Sequence, residues 1–291
     1  MHPSALEFGK KFFDTYCKNP KGFVVADIGS QNVNGSLKDV CPPEVEYIGI
    51  DFCPGNGVDV ILNDPYKLPF DDGSVDIVVC SSVFEHSQFF WLLYLEIMRI
   101  LKPAGLFYLN VPSNGYIHRY PVDCWRFYPD SGLALVGWAE RNGYSPALLE
   151  SFTGEKDCLS IENDAWNDFV AVFVKDIRYR EEYKGRIIQS IDKYANAFRD
   201  DGVIDIKANT FTDDFLIIRE KNSEIANLNK SLVDSDENLA ELTAENANLK
   251  LVVNELNRKV DKLYKSTSWQ ITKPLRSINN LYAKLLHKFD I

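Results

Sequence analysis

Residues 24–40 read VVADIGSQNVNGSLKDV, an apolar run that passes through Asp27 into a polar loop with glycines at 29 and 35. A buried strand that leads into such a loop is how many α/β proteins begin a nucleotide-binding site. On either side of this stretch, short apolar strands alternate with helical patterns from about residue 23 to residue 175. This alternation predicts a parallel sheet with helices on both of its faces.

Seven segments have the length and composition of strands. They are 22–29, 46–51, 58–62, 75–82, 105–112, a weaker segment near 145–152, and 169–175. Residues 87–102, SQFFWLLYLEIMRILK, lack the alternation of a strand and predict a helix ended by Pro103 and Gly105. We therefore expect an α/β fold with a doubly wound, mostly parallel, seven-stranded sheet whose last two strands form an antiparallel edge hairpin.

Composition limits the class of protein. The chain has 291 residues, 45% hydrophobic and 25% charged, which is enough for one substantial core and an appendage. Its six cysteines form no Cys-x-x-Cys pair, so we interpret them as buried thiols in a reduced compartment. The opening lacks the apolar region of a signal peptide, and no apolar run approaches the roughly 20 residues that span a bilayer, so we expect a cytoplasmic protein. The formal charge of −10 disfavours nucleic acid as a partner.

The pattern changes beyond residue 176, to a charged and helical stretch over 177–200, a loop, and then a heptad repeat. Its a positions are Ile225, Leu232, Leu239, Asn246, Val253 and Val260, and its d positions are Leu228, Ser235, Leu242, Leu249, Leu256 and Leu263. Ten of these twelve positions are aliphatic, which predicts a long C-terminal coiled coil of about 58 Å and hence a homo-oligomer. Asn246 at an a position favours a parallel dimer, with a trimer as the alternative.

The last segment is a basic amphipathic tail. Pro274 can begin a helix there, and apolar residues recur on one face at Ile271, Leu275, Ile278, Tyr282, Leu285 and Phe289. Such a helix can lie on anionic lipid, dock into a groove of a partner, or fold back onto its own bundle. The predicted organisation is a domain over 1–178, a helical or loop connector over 179–217, the coiled coil over 218–265 and the tail over 266–291.

Polar residues follow four consecutive strands of the predicted sheet. Asp27 ends the first strand, Asp51 ends the second, Asp64 follows the third, and the run Ser81 to His86 follows the fourth. A single aspartate at a strand end is often a cap or a turn former. Because ligands of open sheets bind outside the carboxyl ends of the strands, four such positions in order favour a binding crevice.

The order of these motifs resembles class I S-adenosylmethionine-dependent methyltransferases over roughly residues 20–175. The resemblance implies a Rossmann-like fold and S-adenosylmethionine as the cofactor. It implies that the first loop holds the methionine part, that Asp51 binds the ribose, and that Asp64 lies beside the adenine amino group. The cofactor-binding residues so implied are Asp27, Gly29, Ser30, Gly35, Asp51, Asp64 and Ser81. The sequence departs from the family at Gln31 and Val33, where further glycines are usual.

A nicotinamide cofactor is disfavoured. The chain contains no Gly-x-Gly-x-x-Gly, and none of its fourteen tyrosines is followed four residues later by lysine. The run CSSVFEH (80–86) is instead similar to the stretch of the methyltransferase family where the methyl group and its acceptor meet.

Methyl transfer from a sulfonium needs alignment of the reacting atoms, and a base when the acceptor is a hydroxyl. We predict His118, in SNGYIHRYPVDCWRFYPD (113–130), as the general base and His86 as the second choice. Asp123 and Arg126 are predicted to position the acceptor.

The same loop leaves other interpretations open. The neighbouring Tyr116, Tyr120 and Tyr128 offer aromatic groups for a sugar-like ligand. A structural loop in which Asp123 pairs with Arg126 is the plain alternative. No metal site is assigned, although a divalent ion at Asp123, Glu85 and His118 is a further alternative.

The tail segment KSTSWQITKPLR (265–276) resembles one that recurs in bacterial cell-surface polysaccharide glycosyltransferases and associated methyltransferases. The layout of catalytic domain, coil and tail is similar to O-antigen polysaccharide chain-terminating methyltransferases. This resemblance implies O-methylation of a sugar hydroxyl on a cell-surface polysaccharide or its lipid-linked precursor. It also implies a protein peripheral to the inner face of the membrane, with a glycosyltransferase or anionic lipid as partner of the tail. The alternatives are an inactive scaffold for glycan assembly, and a methyltransferase for a small metabolite or lipid.

Overall fold

The computed structural model describes residues 3–115, 117–154, 167–192, 194–200, 204–206 and 213–288. The chain forms two compact units, Met1–Ile217 and Ile218–Ile291. The first unit contains the sheet, and the second is helical. Tyr116 and Phe289, which carried sequence predictions, and Cys158 lie outside the described residues.

The first unit is built on a mixed sheet. Its strands are β1 (Val24–Ile28), β2 (Glu46–Asp51), β3 (Val60–Ile61), β4 (Val75–Ser81), β5 (Leu101–Pro112), β6 (Ala147–Gly154), β7 (Asp168–Val174), β8 (Tyr194–Arg199) and β9 (Ile204–Ile206). Over the described residues they form one sheet of nine strands in the order β3-β2-β1-β4-β5-β7-β6-β8-β9. Strands β1 to β5 pair in parallel. The pairs of β7 with β5 and β6, and of β8 with β6 and β9, are antiparallel.

Helices cover both faces of this sheet, as the doubly wound prediction requires. Helix α1 (Pro3–Tyr16) packs on one face, whereas α2 (Phe90–Ile100) and α3 (Ser131–Arg141) pack on the other. Successive residues of β4 alternate between the two layers, since Ile77 and Val79 join the core beneath α1 while Val78 and Cys80 join the opposite core. A strand that is buried on both faces reads as the continuous apolar run seen in the sequence.

The predicted number of strands was wrong. The predicted antiparallel pair, β6 with β7, is present, but β8 and β9 continue the sheet beyond it, so over the described residues the pair does not lie at the edge. The stretch 177–200, predicted to be helical, contains two short 3₁₀ turns, Ile177–Glu182 and Ile187–Gln189, followed by β8. Strand β8 pairs with β6 from Tyr194 to Arg199, and that pairing buries Ala197. The conformation of this charged segment was therefore determined by pairing with the free edge of β6 and not by local helix propensity.

A buried carboxylate joins α1 to this part of the sheet. Glu150 of β6 accepts hydrogen bonds from Tyr16 Oη (2.6 Å), Ile187 N (2.6 Å) and Ile188 N (3.1 Å). Burial raises the pKa of Glu150, while these donors lower it. Because buried polar groups are costly without partners, this network fixes the turn at Ile187–Gln189 against α1.

The cysteines were predicted to be buried thiols. Cys17 and Cys80 are buried and free, but Cys124 is exposed, and Cys41 and Cys53 are half-buried. The prediction therefore fails for Cys124, because its loop follows β5 at the surface of the sheet.

The second unit consists of α4 (Asp213–Lys265), α5 (Thr267–Ile271) and α6 (Lys273–Lys288). Ten aliphatic residues at the a and d positions of α4 are exposed in the single chain, from 43% at Val260 to 63% at Leu228 and Leu239. Helix α6 has Pro274 in its first turn, as predicted. Among the described residues, no helix has the length and apolar character needed to cross a membrane.

The segment KSTSWQITKPLR spans the breaks between α4, α5 and α6. Ser266 Oγ accepts a hydrogen bond from Trp269 N (3.2 Å), which caps α5. The guanidinium of Arg276 lies 3.7 Å from the centre of the Trp269 ring, and its Nη1 donates to Thr272 Oγ1 (2.5 Å). The serine, tryptophan, threonine and arginine of this motif therefore hold one another in place.

Candidate active site

Three predicted cofactor residues lie at one edge of the sheet. Since β1 pairs in parallel with both β2 and β4, the carboxyl ends of the three strands are neighbours. Asp27, Asp51 and Ser81 stand at or beside these ends, and all three are buried. This edge is where ligands of open α/β sheets bind.

The loop after β1 is held in place by Asp51. One carboxylate oxygen of Asp51 accepts from Gln31 N (3.2 Å), and the other accepts from Cys53 N (3.1 Å). Asn32 N donates to Asn56 O (2.8 Å), so the loop after β1 is also attached to the loop after β2. These bonds determine the path of the backbone where the family's further glycines are missing.

Gly29 is needed for close packing. Its φ is +79°, and a Cβ at this position would lie 2.1 Å from Val83 Cγ2. Val83 belongs to the turn that joins β4 to α2, so the absence of a side chain at Gly29 lets two loops of the site touch. Gly35 has a φ of +117° and donates from its N to Asn32 Oδ1 (2.9 Å), which closes the loop.

Asp27 has a partner that the sequence did not reveal. Its Oδ2 accepts a hydrogen bond from Tyr47 Oη (2.7 Å) of β2. Burial raises the pKa of Asp27 to about 7, although the Tyr47 bond opposes this and Asp51 adds to it. The carboxyl group of Asp27 is therefore neutral in a large fraction of molecules at neutral pH.

Asp64 is exposed and organises a turn. Its Oδ1 accepts from Tyr66 N (2.9 Å), and Tyr66 Oη accepts from Phe89 N (3.1 Å) near the start of α2. A depression of about 500 Å³ opens beside Asp64 and extends to Glu96 and Arg99. Since Glu96 and Arg99 lie in the last turns of α2, the depression extends away from the carboxyl ends of the strands.

Two buried hydroxyls at this edge have no hydrogen-bond partner among the described residues. They are Ser30 Oγ, in the loop after β1, and Ser81 Oγ, at the end of β4. A buried polar atom without a partner is costly, and it is often satisfied by a ligand or by water. Both residues were predicted to bind the cofactor, and their orphaned oxygens fit a polar ligand at the edge of the sheet.

Beyond β4 and β5 lies a second group, Glu85, His86, His118, Asp123 and Arg126, which we call the histidine cluster. The rings of His86 and His118 meet edge to face, with their centres 4.8 Å apart. Cys124 N donates to Glu85 O (2.7 Å), which ties the loop after β5 to the turn after β4. Residues that are more than thirty positions apart in sequence are therefore brought together.

Asp123 is held by Arg126. Its Oδ1 accepts from Arg126 Nη1 (2.5 Å), and its Oδ2 accepts from Arg126 Nη2 (2.8 Å) and from His118 N (2.8 Å). The Arg126 bonds lower the pKa of Asp123 and raise that of Arg126. His118 Nδ1 lies 3.2 Å from Asp123 Oδ2, so the carboxylate also faces the imidazole.

Burial shifts the pKa values of Glu85 and His86 in opposite directions. The Glu85 side chain is 1% exposed, and burial raises its pKa to about 8, while Arg126 opposes the shift. Burial lowers the pKa of His86, whose Nδ1 lies 2.5 Å from Val122 O. Because a carbonyl can only accept, Nδ1 carries the proton and Nε2 presents its lone pair.

Sequence reasoning named most of this site but missed some of its parts. Tyr47 shows no signal beyond its position in β2, and Ser82 adopts a positive φ of +58° that only the structure reveals. An aromatic patch was also missed, in which the rings of Phe89, Trp91 and Trp125 lie within 6 Å of their neighbours' centres. Tyr120 and Tyr128, named from the sequence, are exposed in the same loop.

Comparison with known proteins identifies the domain. Residues 27–109, from the end of β1 into β5, match the family described as a methyltransferase domain. The matched segment contains Asp27, Asp51, Asp64 and the run from Ser81 to His86. The protein is thus a methyltransferase whose cofactor is S-adenosylmethionine.

Solved structures with a similar chain course include YcgJ from Bacillus subtilis, at 16% identity and a TM-score of 0.43, over 60% of this chain and 99% of that chain. Another is the Burkholderia thailandensis 1,6-didemethyltoxoflavin-N1-methyltransferase with S-adenosylhomocysteine, at 13% identity and a TM-score of 0.44, over 60% of this chain and 79% of that chain. No curated protein matches the chain. Neither structure bears on the acceptor.

The raised pKa of Asp27 predicts a pH-dependent stability. Its ordinary value is 3.8 and its folded value is about 7, so the folded chain binds the proton more tightly, and stability falls as pH rises from about 4 to about 7. Asp27→Asn keeps an acceptor for Tyr47 but does not titrate, and should remove up to about 4 kcal/mol of this loss. Urea unfolding of both proteins at several pH values measures the difference. Asp14→Asn, at an exposed carboxylate of α1, is the control, and equal slopes for Asp27→Asn and wild type would contradict the assignment.

The packing of Gly29 predicts a position-specific loss of stability. Gly22 has nearly the same φ, +82°, but a Cβ there would meet nothing within 4 Å. Gly29→Ala and Gly22→Ala should share a conformational cost of about 1–2 kcal/mol. Gly29→Ala should lose a further 1–3 kcal/mol or so through its clash with Val83. Denaturant unfolding measures both; adding Val83→Ala should recover part of the extra loss, and equal losses for the two glycine variants would refute the contact.

Proposed function

We propose that this protein O-methylates a sugar hydroxyl of a cell-surface polysaccharide or its lipid-linked precursor. The observation that carries the proposal is the histidine cluster, which lies directly after β4 and β5 beside the cofactor edge. A sulfonium methyl group is reactive enough that the protein needs chiefly to align the acceptor and to lower the pKa of a weakly acidic hydroxyl. The cluster offers groups for both tasks.

The cofactor edge supports binding of S-adenosylmethionine, which supplies the methyl group when it is bound. Asp51 is proposed to bind the ribose hydroxyls, and Asp64 to lie beside the adenine amino group. Ser30 and Ser81, whose buried hydroxyls lack partners, are proposed to bind polar groups of the same ligand. Gly29 and Val83 keep the loop after β1 in contact with the turn that carries the cluster.

His118 is the proposed base, with His86 as the second choice. Asp123 lies 3.2 Å from His118 Nδ1, so its carboxylate can orient the imidazole and stabilise the imidazolium formed when a hydroxyl proton is taken. Arg126 keeps Asp123 ionised and fixed in position. The sequence predicted that Asp123 and Arg126 position the acceptor. Because they bind each other and Asp123 faces His118, we propose instead that they act through His118.

The aromatic patch favours a sugar over a small polar acceptor. Trp125 Nε1 donates to Ser87 O (2.9 Å), which holds its ring beside the turn after β4. The rings of Phe89 and Trp125 in this patch are partly exposed, as is that of Tyr128 nearby in the chain. All three residues lie within a few positions of the histidine cluster in the sequence. Exposed aromatic rings offer flat apolar surface with polar edges, which suits the mixed character of a sugar ring.

The apolar stripe of α4 supports self-association. Each leucine taken out of water contributes about 1.5–3 kcal/mol, so ten exposed aliphatic residues on one helix strongly favour a partner helix. The stripe repeats every seven residues, which a second copy in parallel register would match. Asn246 would then face its own counterpart, and this pairing favours a dimer.

Helix α6 is the proposed docking element. It has Lys273, Arg276, Lys284 and Lys288 among its residues and exposes Leu275, Ile278 and Tyr282. A helix with both apolar and basic residues suits an anionic membrane surface. It equally suits a groove of a glycosyltransferase that is apolar with an acidic rim. With the coil as a spacer, the catalytic domain would work at the inner face of the membrane.

Two other functions remain testable candidates. An inactive scaffold for glycan assembly would use the coil and tail but need no cofactor. A methyltransferase for a small metabolite or lipid would use the same edge of the sheet, yet would give no use to a helix as long as Asp213–Lys265.

The proposed function predicts that cofactor affinity and turnover can be lost separately. Calorimetric titration should show S-adenosylmethionine binding to the wild type, weakened more than about tenfold in Asp51→Asn because the ribose hydroxyls lose a charged acceptor. His118→Ala should retain cofactor affinity and lose about 10²–10⁴ in turnover, measured as labelled methyl transfer to lipid-linked glycan. Asp14→Asn, at an exposed carboxylate of α1, is the control and should change neither quantity. Undetectable cofactor binding would support the scaffold, and unchanged turnover in folded His118→Ala would remove this residue from the mechanism.

The second unit predicts the behaviour of truncated chains. Chain 1–265 should remain oligomeric by sedimentation equilibrium but lose binding to vesicles that contain phosphatidylglycerol, because the coil is kept and the basic helix is gone. Chain 1–217 should be monomeric, since the apolar stripe is removed. Vesicle binding by chain 1–265 would contradict the role of the tail, and an oligomeric chain 1–217 would contradict that of the coil.

A further inference from the structure

Three side chains of the histidine cluster form a set of metal-ligating groups. Glu85, His86 and His118 each offer one ligand atom, and these atoms all lie within 4.8 Å of one another. His86 Nε2 lies 3.8 Å from Glu85 Oε1. Ligand atoms on one tetrahedral zinc ion are about 3.3 Å apart, so only small side-chain movements would bring this pair onto a common ion.

His86 is already in the tautomer that a ligand requires. Its Nδ1 donates to Val122 O (2.5 Å), so the lone pair is on Nε2, the atom that faces Glu85. Metal-bound imidazoles commonly donate their other nitrogen to a backbone carbonyl or a carboxylate in this way.

Asp123 lies beside the other imidazole, that of His118, at ion-pair distance. The Asp123 carboxylate lies 3.2 Å from His118 Nδ1 and is fixed by two bonds from Arg126. A carboxylate beside an imidazole sets the orientation of its ring. Asp123 therefore orients a ligand and is not itself one. The alternative metal site in the sequence analysis used Asp123, Glu85 and His118, and in the structure His86 replaces Asp123 in that set.

The Glu85 side chain gives separate evidence that the site lacks a bound group. Its side chain is 1% exposed, and Oε2 has no hydrogen-bond partner among the described residues. A carboxylate oxygen buried in this way is costly unless a cation or a donor satisfies it. A cation between Glu85 and the two imidazoles would satisfy it.

We propose that Glu85, His86 and His118 bind a divalent transition-metal ion of the zinc class. Two imidazoles and one carboxylate suit zinc, cobalt or iron, whereas magnesium and calcium prefer all-oxygen sites. Three protein ligands leave coordination positions open for a hydroxyl oxygen. Binding of the ion does not depend on the acceptor, but its use does rest on the proposed function. The ion would lower the pKa of the acceptor hydroxyl so that its proton passes to solvent water, and His118 would then be a metal ligand and not the base.

The test is titration of the full chain with Co²⁺ after removal of metals by a chelator. The wild type should bind about one Co²⁺ per chain, seen as visible absorption of low-symmetry cobalt, and Zn²⁺ should displace it and raise the midpoint of thermal unfolding. Glu85→Gln, His86→Ala and His118→Ala should each weaken binding more than about 100-fold. Asp123→Asn should weaken it about 10–100-fold.

Two controls distinguish this site from other metal-binding groups. Cys124→Ser, at the exposed thiol of the same loop, and His287→Ala should bind Co²⁺ as the wild type does. Calorimetric titration with S-adenosylmethionine should give wild-type affinity in Glu85→Gln, which shows that the variant is folded and keeps this test apart from that of the proposed function. The proposal would be overturned if the wild type failed to bind Co²⁺ stoichiometrically. It would also be overturned if folded Glu85→Gln and His118→Ala bound Co²⁺ as tightly as the wild type.

Discussion

The parallel pairing of β1 with β2 and β4 is the constraint on which the site depends. It places the ends of three buried strands side by side, so that the first polar residues after each strand share one edge. Both faces of these strands are covered by helices, which leaves the edge as the place where Asp27, Asp51 and Ser81 can meet a ligand.

Close contact between loops links this edge to the histidine cluster. Gly29 has no side chain, so Val83 packs against the backbone of the first loop. Three residues after Val83 stands His86, and Glu85 between them binds the loop after β5 through its carbonyl oxygen. The loop after β1 and the histidine cluster are thus parts of one packed assembly.

Burial controls the charge of this assembly. Asp27 and Glu85 are both buried, and their raised pKa values keep protons on carboxyl groups that would be ionised in water. Asp123 is the opposite case, because two bonds from Arg126 hold it in the ionised form. A cation at Glu85 would alter this balance, since it would displace the proton and bind the carboxylate.

The sequence alone determined the positions of the strands from β1 to β5, the presence of a helix after β4, the ends of strands where Asp27 and Asp51 stand, and the heptad of α4. These features depend on local periodicity and on the order of motifs, which a single chain carries. The predicted end of the helix after β4 was wrong, because the helix ends at Ile100 and Pro103 and Gly105 lie within β5. Tertiary structure alone decided that residues 194–199 form a strand, because the edge of β6 offered hydrogen bonds that no local pattern records. It likewise decided that Tyr47 binds Asp27, and that His86, not Asp123, completes the group of possible ligand atoms with Glu85 and His118. Side chains far apart in sequence meet in this way only when the sheet brings their loops together.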